Sequence, residues 1–133
     1  MNTVFLDTVG LIALWDDTDQ WHNDAEQAYA NLRRLRFRGI TTAAVLLECG
    51  NAAARRPYRH QVNLLRQKME AKGRLIALTE TEWVTAWEAY DRNEAGGAGI
   101  VDQSSFIVMR RLGIRQAFTN DSHFSAAGFE TLF

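Results

Sequence analysis

The chain has 133 residues, of which 47% are hydrophobic and 23% charged, and its formal net charge is -1 at pH 7. That length suits one compact domain, 1–133, and a single proline with an ordinary charge fraction excludes a long disordered linker. The near-neutral balance excludes global attraction of nucleic acid, so any such binding has to use local basic patches.

The opening fifteen residues are apolar in part, but Asp7 interrupts them, no basic segment precedes them, and Asp16, Asp17 and Asp19 follow. That is a poor signal peptide, and no run elsewhere reaches the roughly 20 apolar residues that span a bilayer. Cys49 is the only cysteine, so it has no disulfide partner within the chain. A reducing, cytoplasmic setting without a membrane is expected.

Taken in order, Thr3 to Leu6 reads as a buried strand that delivers Asp7 at its carboxyl end. A brief helix follows through Leu11, Ile12 and Leu14, then a longer one from Asp19 to Arg36 with Trp21, Ala25, Ala28, Tyr29 and Leu32 near one face. Gly39 is expected to end that helix and release a strand around Ile40 and Thr41. The next helix, capped by Thr42, carries Glu48, and its interior Gly50 suggests a close backbone approach. Tyr58 to Lys72 reads as a helix stopped by Gly73, LIAL (75–78) as a strand, and Thr81 to Arg92 as a helix. Glu94 to Gly99 reads as a loop. Asp102 begins or caps a helix that Gly113 ends, Ala117 to Thr119 is a strand leading to Asp121, and Glu130 to Phe133 supplies an edge strand. Short strands alternating with longer helices predict a three-layer α/β/α sandwich with a mostly parallel central sheet.

Four acids stand beside or inside segments that read as buried: Asp7 in VFLDT, Glu48 in AVLLECGN, Asp102 in GIVDQSSF and Asp121 in AFTNDSHF. Acids against a core are uncommon unless something positive sits between them. In a parallel sheet the four can converge on one crevice, where oxygen ligands suit Mg²⁺ or Mn²⁺. Such an ion activates water and stabilises charge at a phosphodiester. Each acid also has a structural reading. Asp7 and Asp102 can cap helices, Asp121 can close an Asx turn, and Glu48 can pair with Arg55 or Arg56. Thr8 and Asn51 offer a hydroxyl and an amide to a water or phosphate oxygen, or else pack and cap. His123 sits two residues past Asp121, where it can touch a metal, a neighbouring acid or phosphate, or simply the solvent. Ser104 and Ser105 lack a partnered histidine and acid, so a serine nucleophile is rejected. Arg55, Arg56 and Arg59 form the basic run of most interest as an RNA-backbone contact, and each can equally be a solvated charge at a helix end.

The order and spacing of VFLDT, the ECGN helix, GIVDQSSF followed by RRLGI, and FTNDSHFSAAGFETLF resemble the PIN-domain ribonucleases, especially the VapC-type toxins of prokaryotic toxin-antitoxin pairs. The resemblance covers almost the whole chain. It implies a PIN-like α/β/α fold that gathers Asp7, Glu48, Asp102 and Asp121 around Mg²⁺ or Mn²⁺ to hydrolyse RNA, with Thr8 as a hydroxyl neighbour. Asp7 and Asp102 are then the direct ligands, and Glu48 and Asp121 bind directly or through water. The position two past Asp121 is often acidic in the family and is His123 here, so a fifth acidic ligand lacks its residue. The resemblance also implies a homodimer, with exposed apolar parts of the Trp21 or Tyr58 helix as candidate surfaces. It further implies a cognate antitoxin whose tail reaches the acidic groove. Two other readings stand beside a metal-dependent endoribonuclease. One is an RNA-processing enzyme, DNA nuclease or phosphatase using the same carboxylates; the other is a non-catalytic PIN-like module that binds RNA or protein.

Overall fold

The structure, a computed structural model, describes residues 2–133. Strands β1 (Thr3–Leu6), β2 (Arg38–Thr42), β3 (Leu75–Ile76), β4 (Gln116–Phe118) and β5 (Glu130–Thr131) form one sheet in the order β3-β2-β1-β4-β5. All four pairings are parallel, with Phe5 opposite Ile40 on one side and Ala117 on the other. Parallel neighbours need long crossovers, and helices supply them. They are α1 (Thr8–Trp15) and α2 (His22–Arg34), α3 (Ala43–Ala52) and α4 (Arg59–Ala71), then α5 (Glu80–Asp91), the single turn α6 (Glu94–Gly97) and α7 (Ile100–Leu112), and last α8 (Ser122–Ala126). The helices flank the sheet and complete the expected α/β/α sandwich. Strand order reverses between β1 and β4, the place where open α/β sheets leave a crevice at their carboxyl ends.

β1 is buried from Val4 to Leu6, as its apolar run requires. Phe5, Phe106, Phe118 and Phe124 fill the centre, with the Phe106 and Phe124 rings edge to face at 4.9 Å. Each such ring contributes about 1.5–3 kcal/mol by leaving water. Among the described residues no helix is long and apolar enough to cross a membrane.

Several boundaries differ from the sequence reading. α2 begins at His22, because the Asp16 and Asp19 side chains accept the Thr18 and Trp21 amides and hold the preceding residues in turns. Trp21 is therefore outside the helix. Likewise Tyr58 is the buried residue before α4. α2 ends at Arg34, and Arg36, at φ 53°, makes the left-handed turn expected of Gly39. Gly39 lies within β2 opposite Val4. β3 keeps only Leu75 and Ile76 of LIAL. Thr79 and Glu82 cap α5 reciprocally, a start signal the sequence carried in TETE. The Glu94–Gly99 loop contains α6, in which Ala95 and Gly96 are left-handed.

The close backbone approach expected at Gly50 is absent, since a Cβ there meets nothing within 4 Å. It occurs at Gly10, where a Cβ would fall 2.0 Å from the Phe118 carbonyl oxygen. That contact presses α1 onto β4 beside the crevice.

Candidate active site

β1 ends at Leu6 and Asp7 turns the chain into α1 as its N-cap, accepting the Val9 amide on Oδ2 at 3.3 Å. The same oxygen accepts the Thr119 hydroxyl at 2.8 Å, while Thr119 Oγ1 accepts the Asp121 amide at 3.1 Å. Thr119 thus ties the end of β1 to the end of β4. Thr41 adds a second buried brace, donating its hydroxyl to the Leu6 carbonyl at 2.8 Å. Asp7 is buried, and its Oδ1 has no hydrogen-bond partner; nor does the buried Thr8 Oγ1 beside it.

Asp121 caps α8 by accepting the His123 amide at 2.9 Å, and the His123 ring Nδ1 lies 2.8 Å from the same oxygen. Asp102 is the third residue of α7, whose N-cap is Gly99; it neither opens nor caps the helix. Its helix is anchored by Gln103, which donates to the Glu94 carbonyl at 2.9 Å. One ligand atom each from Asp102, Asp121 and His123 lie within 4.8 Å of one another, and all three side chains are half-buried.

The electrostatics of this corner are unfavourable as it stands. Burial, the Asp102 charge and then that of Asp121 push the Asp7 carboxyl up to about 7, against the Thr119 hydrogen bond. Asp102 is pushed up to about 6 by burial, then by Asp121 and Glu48, with His123 opposing. Like charges in a partly dry crevice each raise the other's affinity for a proton or a cation. An orphaned carboxylate oxygen, a free buried hydroxyl and a two-acid, one-imidazole set fit a divalent ion.

The structure therefore brings together Asp7, Asp102, Asp121, His123 and Thr8. Glu48 lies on the exposed side of α3, outside the Asp102 group but close enough to raise the Asp102 carboxyl. Its expected pairing with Arg55 or Arg56 does not form. Arg56 instead donates to Asp16 at 2.9 Å, and Arg55 is exposed. Arg59 donates to the Ala54 carbonyl at 3.1 Å, and Asn51 is exposed. Asp16 stands at the other end of α1, about 13.5 Å from Asp7 by helix rise, so Arg56 is fixed away from the acids. A cleft of about 470 Å³ surrounds Asp16, Arg56 and Tyr58, and the ion pair lies within its lining. Ser104 and Ser105 both donate to the Val101 carbonyl and carry no nucleophile. Burial pushes the Cys49 thiol up to about 12, leaving it inert.

Thr119, Thr41 and Gly10 escaped the sequence reading. Thr119 had a local signal, a hydroxyl residue two positions before an acid at a strand end. Thr41 and Gly10 had none, because their partners are 35 and 108 positions away in the chain.

No family model matches the sequence. The chain is 31% identical to VapC20 of Mycobacterium tuberculosis, a 23S rRNA-specific endonuclease, over 95% of both proteins. The crystal structure of that protein, a sarcin-ricin loop cleaving toxin, superposes with a TM-score of 0.77 and 29% identity, again over 95% of each chain. The chain belongs to the PIN-domain family of VapC-type toxins. FitAcB from Neisseria gonorrhoeae shares the fold at a TM-score of 0.59 and 15% identity, covering 98% of this chain and 96% of that one. As a member of this family, with an acidic cluster shaped for a divalent cation, the VapC-type chain is a metal-dependent nuclease.

Proposed function

We propose that the chain, acting as a single domain over 1–133, is an Mg²⁺- or Mn²⁺-dependent endoribonuclease and the toxin of a cytoplasmic toxin-antitoxin pair. Its substrate is then RNA, with the sarcin-ricin loop of 23S rRNA the first target to test, since that is the target of a relative matched along nearly its full length. The observation that carries the reading is Asp7 Oδ1, buried without a partner beside two further acids. No neutral role for Asp7 explains an oxygen left bare in that setting.

Asp7, Asp102, Asp121 and His123 hold the ion in this reading, and Glu48 reaches it directly or through water. A bound Mg²⁺ or Mn²⁺ supplies positive charge to the phosphate and acidifies water. Thr119 fixes the Asp7 carboxylate and frees its second oxygen for ligation. Thr8 offers its hydroxyl to a phosphate oxygen, Asn51 lies at the rim, and Arg55 and Arg59 meet the RNA backbone away from the scissile bond, while Arg56 is committed to Asp16. A cognate antitoxin and a homodimer belong to the same reading.

Purified protein is incubated with a panel of RNAs that includes a sarcin-ricin hairpin, with DNA and with small phosphate esters, in Mg²⁺, Mn²⁺ or EDTA. RNA cleavage that needs the metal and disappears in folded Asp7→Asn and Asp102→Asn is expected. Cleavage that survives either substitution removes these residues from the site, and preferential cutting of DNA or small esters replaces the substrate.

A further inference from the structure

A second surface of the molecule is as strongly basic as the crevice is acidic. The last turn of α2, the start of β2 and the end of α4 enclose a cleft of about 410 Å³. Five cations line it, Arg33, Arg36, Lys68, Lys72 and Arg74, and no carboxylate does. Among the described residues none of the five forms an ion pair or a side-chain hydrogen bond. Elsewhere four arginines are paired, Arg56 with Asp16, Arg66 with Glu70, Arg92 with Glu94 and Arg111 with Glu82, but nowhere else do five cations line one cleft without a carboxylate among the clefts described. Cations at the ends of α2 and α4 complement the helix dipoles, but that accounts for Arg33 and Lys68 and not for Arg36 or Arg74, which lie in connections. Arg36 reaches the cleft from a left-handed backbone, a conformation uncommon outside glycine.

The position of the cleft says what it can hold. Leu6 contributes to its floor, while the next residue, Asp7, faces the acidic crevice. Gly39, also in the floor, is paired with Val4, about 10 Å along β1 from Asp7. The cleft lies toward the amino-terminal edge of the sheet, by the start of β2 and the carboxyl ends of α2 and α4, while the acids lie at its carboxyl edge. An RNA that meets both has to pass from one edge of the sheet to the other, a path open to a folded RNA and not to a strand confined to the crevice. A chain with net charge -1 gives a polyphosphate no global attraction, so binding it needs a local basic surface.

We propose that the Arg33, Arg36, Lys68, Lys72 and Arg74 cleft binds the phosphate backbone of a folded RNA substrate and so selects structured RNA over short strands. This rests on the endoribonuclease reading above. Phosphate contacts of this kind position a substrate without reading bases, so the cleft acts on binding and leaves the chemical step alone.

The test uses the full chain with Lys68, Lys72 and Arg74 replaced together by glutamine, and a second variant carrying Arg74→Lys. Melting curves check that both fold. Cleavage of a structured RNA hairpin and of a short unstructured oligonucleotide with the same scissile sequence is measured alongside. Binding of the hairpin to the same proteins carrying Asp7→Asn is measured across a salt series. The triple variant is expected to raise KM for the hairpin by about tenfold or more, with kcat for both RNAs and KM for the short strand unchanged. Its salt dependence should fall by about 2 to 3 in log-log slope, and Arg74→Lys should behave as the parent. Equal hairpin affinity and slope in parent and triple variant overturn the proposal. So does an acidic polypeptide such as polyglutamate bound as tightly as RNA at the same salt. A parent that cuts neither RNA but whose hairpin binding still depends on the cleft overturns the nuclease reading alone.

Discussion

Helix α1 begins and ends on a buried aspartate, and the two are treated in opposite ways. At its C-terminal end Asp16 is satisfied on both oxygens. Oδ1 accepts the Thr18 amide at 3.0 Å and the Thr18 hydroxyl at 2.6 Å; Oδ2 accepts Arg56 at 2.9 Å and the Tyr58 hydroxyl at 3.3 Å. Those hydrogen bonds, Thr18 first and Arg56 next, hold its carboxyl well below the usual carboxylate range. At the N-terminal end Asp7 keeps one oxygen bare and faces two more acids, and its carboxyl is pushed up to about 7. The fold completes the acid that only joins α1 to the segment before α4. It leaves incomplete the acid at the crevice. An unmet requirement, more than burial itself, separates a binding residue from a structural one.

The largest expected effect comes from the residue between them. Gly10→Ala drives a methyl against the Phe118 carbonyl and displaces α1 from β4, so both ends of the helix move. A loss of more than about 3 kcal/mol is expected in denaturant melts, since the obstacle is backbone and has no rotamer to take. A stability within about 0.5 kcal/mol of the parent would mean that α1 is not seated on β4 as described.

Next in size is a pair of substitutions with opposite signs. Asp7→Asn removes a charge that the metal-free protein holds at a disadvantage. It should raise Tm in EDTA near pH 8 by about 5 °C while abolishing cleavage by at least about a thousandfold. Asp16→Asn removes a charge that Arg56 and Thr18 welcome, so it should lower Tm and leave the metal-dependent activity of the folded protein in place. Thermal melts and cleavage assays on both variants decide it. The comparison fails if the two shift Tm in the same direction.

How much of this was legible beforehand follows from where each interaction lives. Thr42 as a cap, Gly73 and Gly113 as helix stops, and Asp7 and Asp121 at strand ends are local and were read correctly from short windows. Asp102 was placed in the right helix but at its edge, because the true cap, Gly99, follows a loop whose left-handed residues hide the boundary. The structural alternative for Glu48, a pairing with Arg55 or Arg56, does not form, and the partner of Arg56 is Asp16, 40 positions away. The His123 ring, which reads as touching a metal, a neighbouring acid, phosphate or the solvent, lies 2.8 Å from Asp121 in a group that could hold a cation. The Arg56 pairing rests on a contact between distant segments that no pattern of neighbouring residues encodes, whereas the Asp102 and His123 placements turn on local backbone geometry.

The finest test of the contrast is its pH dependence. An unfolded aspartate titrates near 4, so from there up to about 7 folded Asp7 retains a proton that the unfolded chain has lost. Its contribution to the stability of the metal-free protein is full below about pH 4 and fades as pH rises through about 7; Asp102 adds the same trend up to about 6. Asp16 has the reverse sign, stabilising above the ordinary carboxylate value and ceasing to do so as pH falls through its lower folded value. A divalent ion competes with protons for Asp7 and Asp102 and has no purchase on Asp16. The Tm gain on adding Mg²⁺ or Mn²⁺ should therefore grow steadily from about pH 5 to about pH 8, and Asp7→Asn should flatten most of that growth. A gain that is constant over this range, or one that Asp16→Asn abolishes instead, would place the ion somewhere other than the incomplete end of α1.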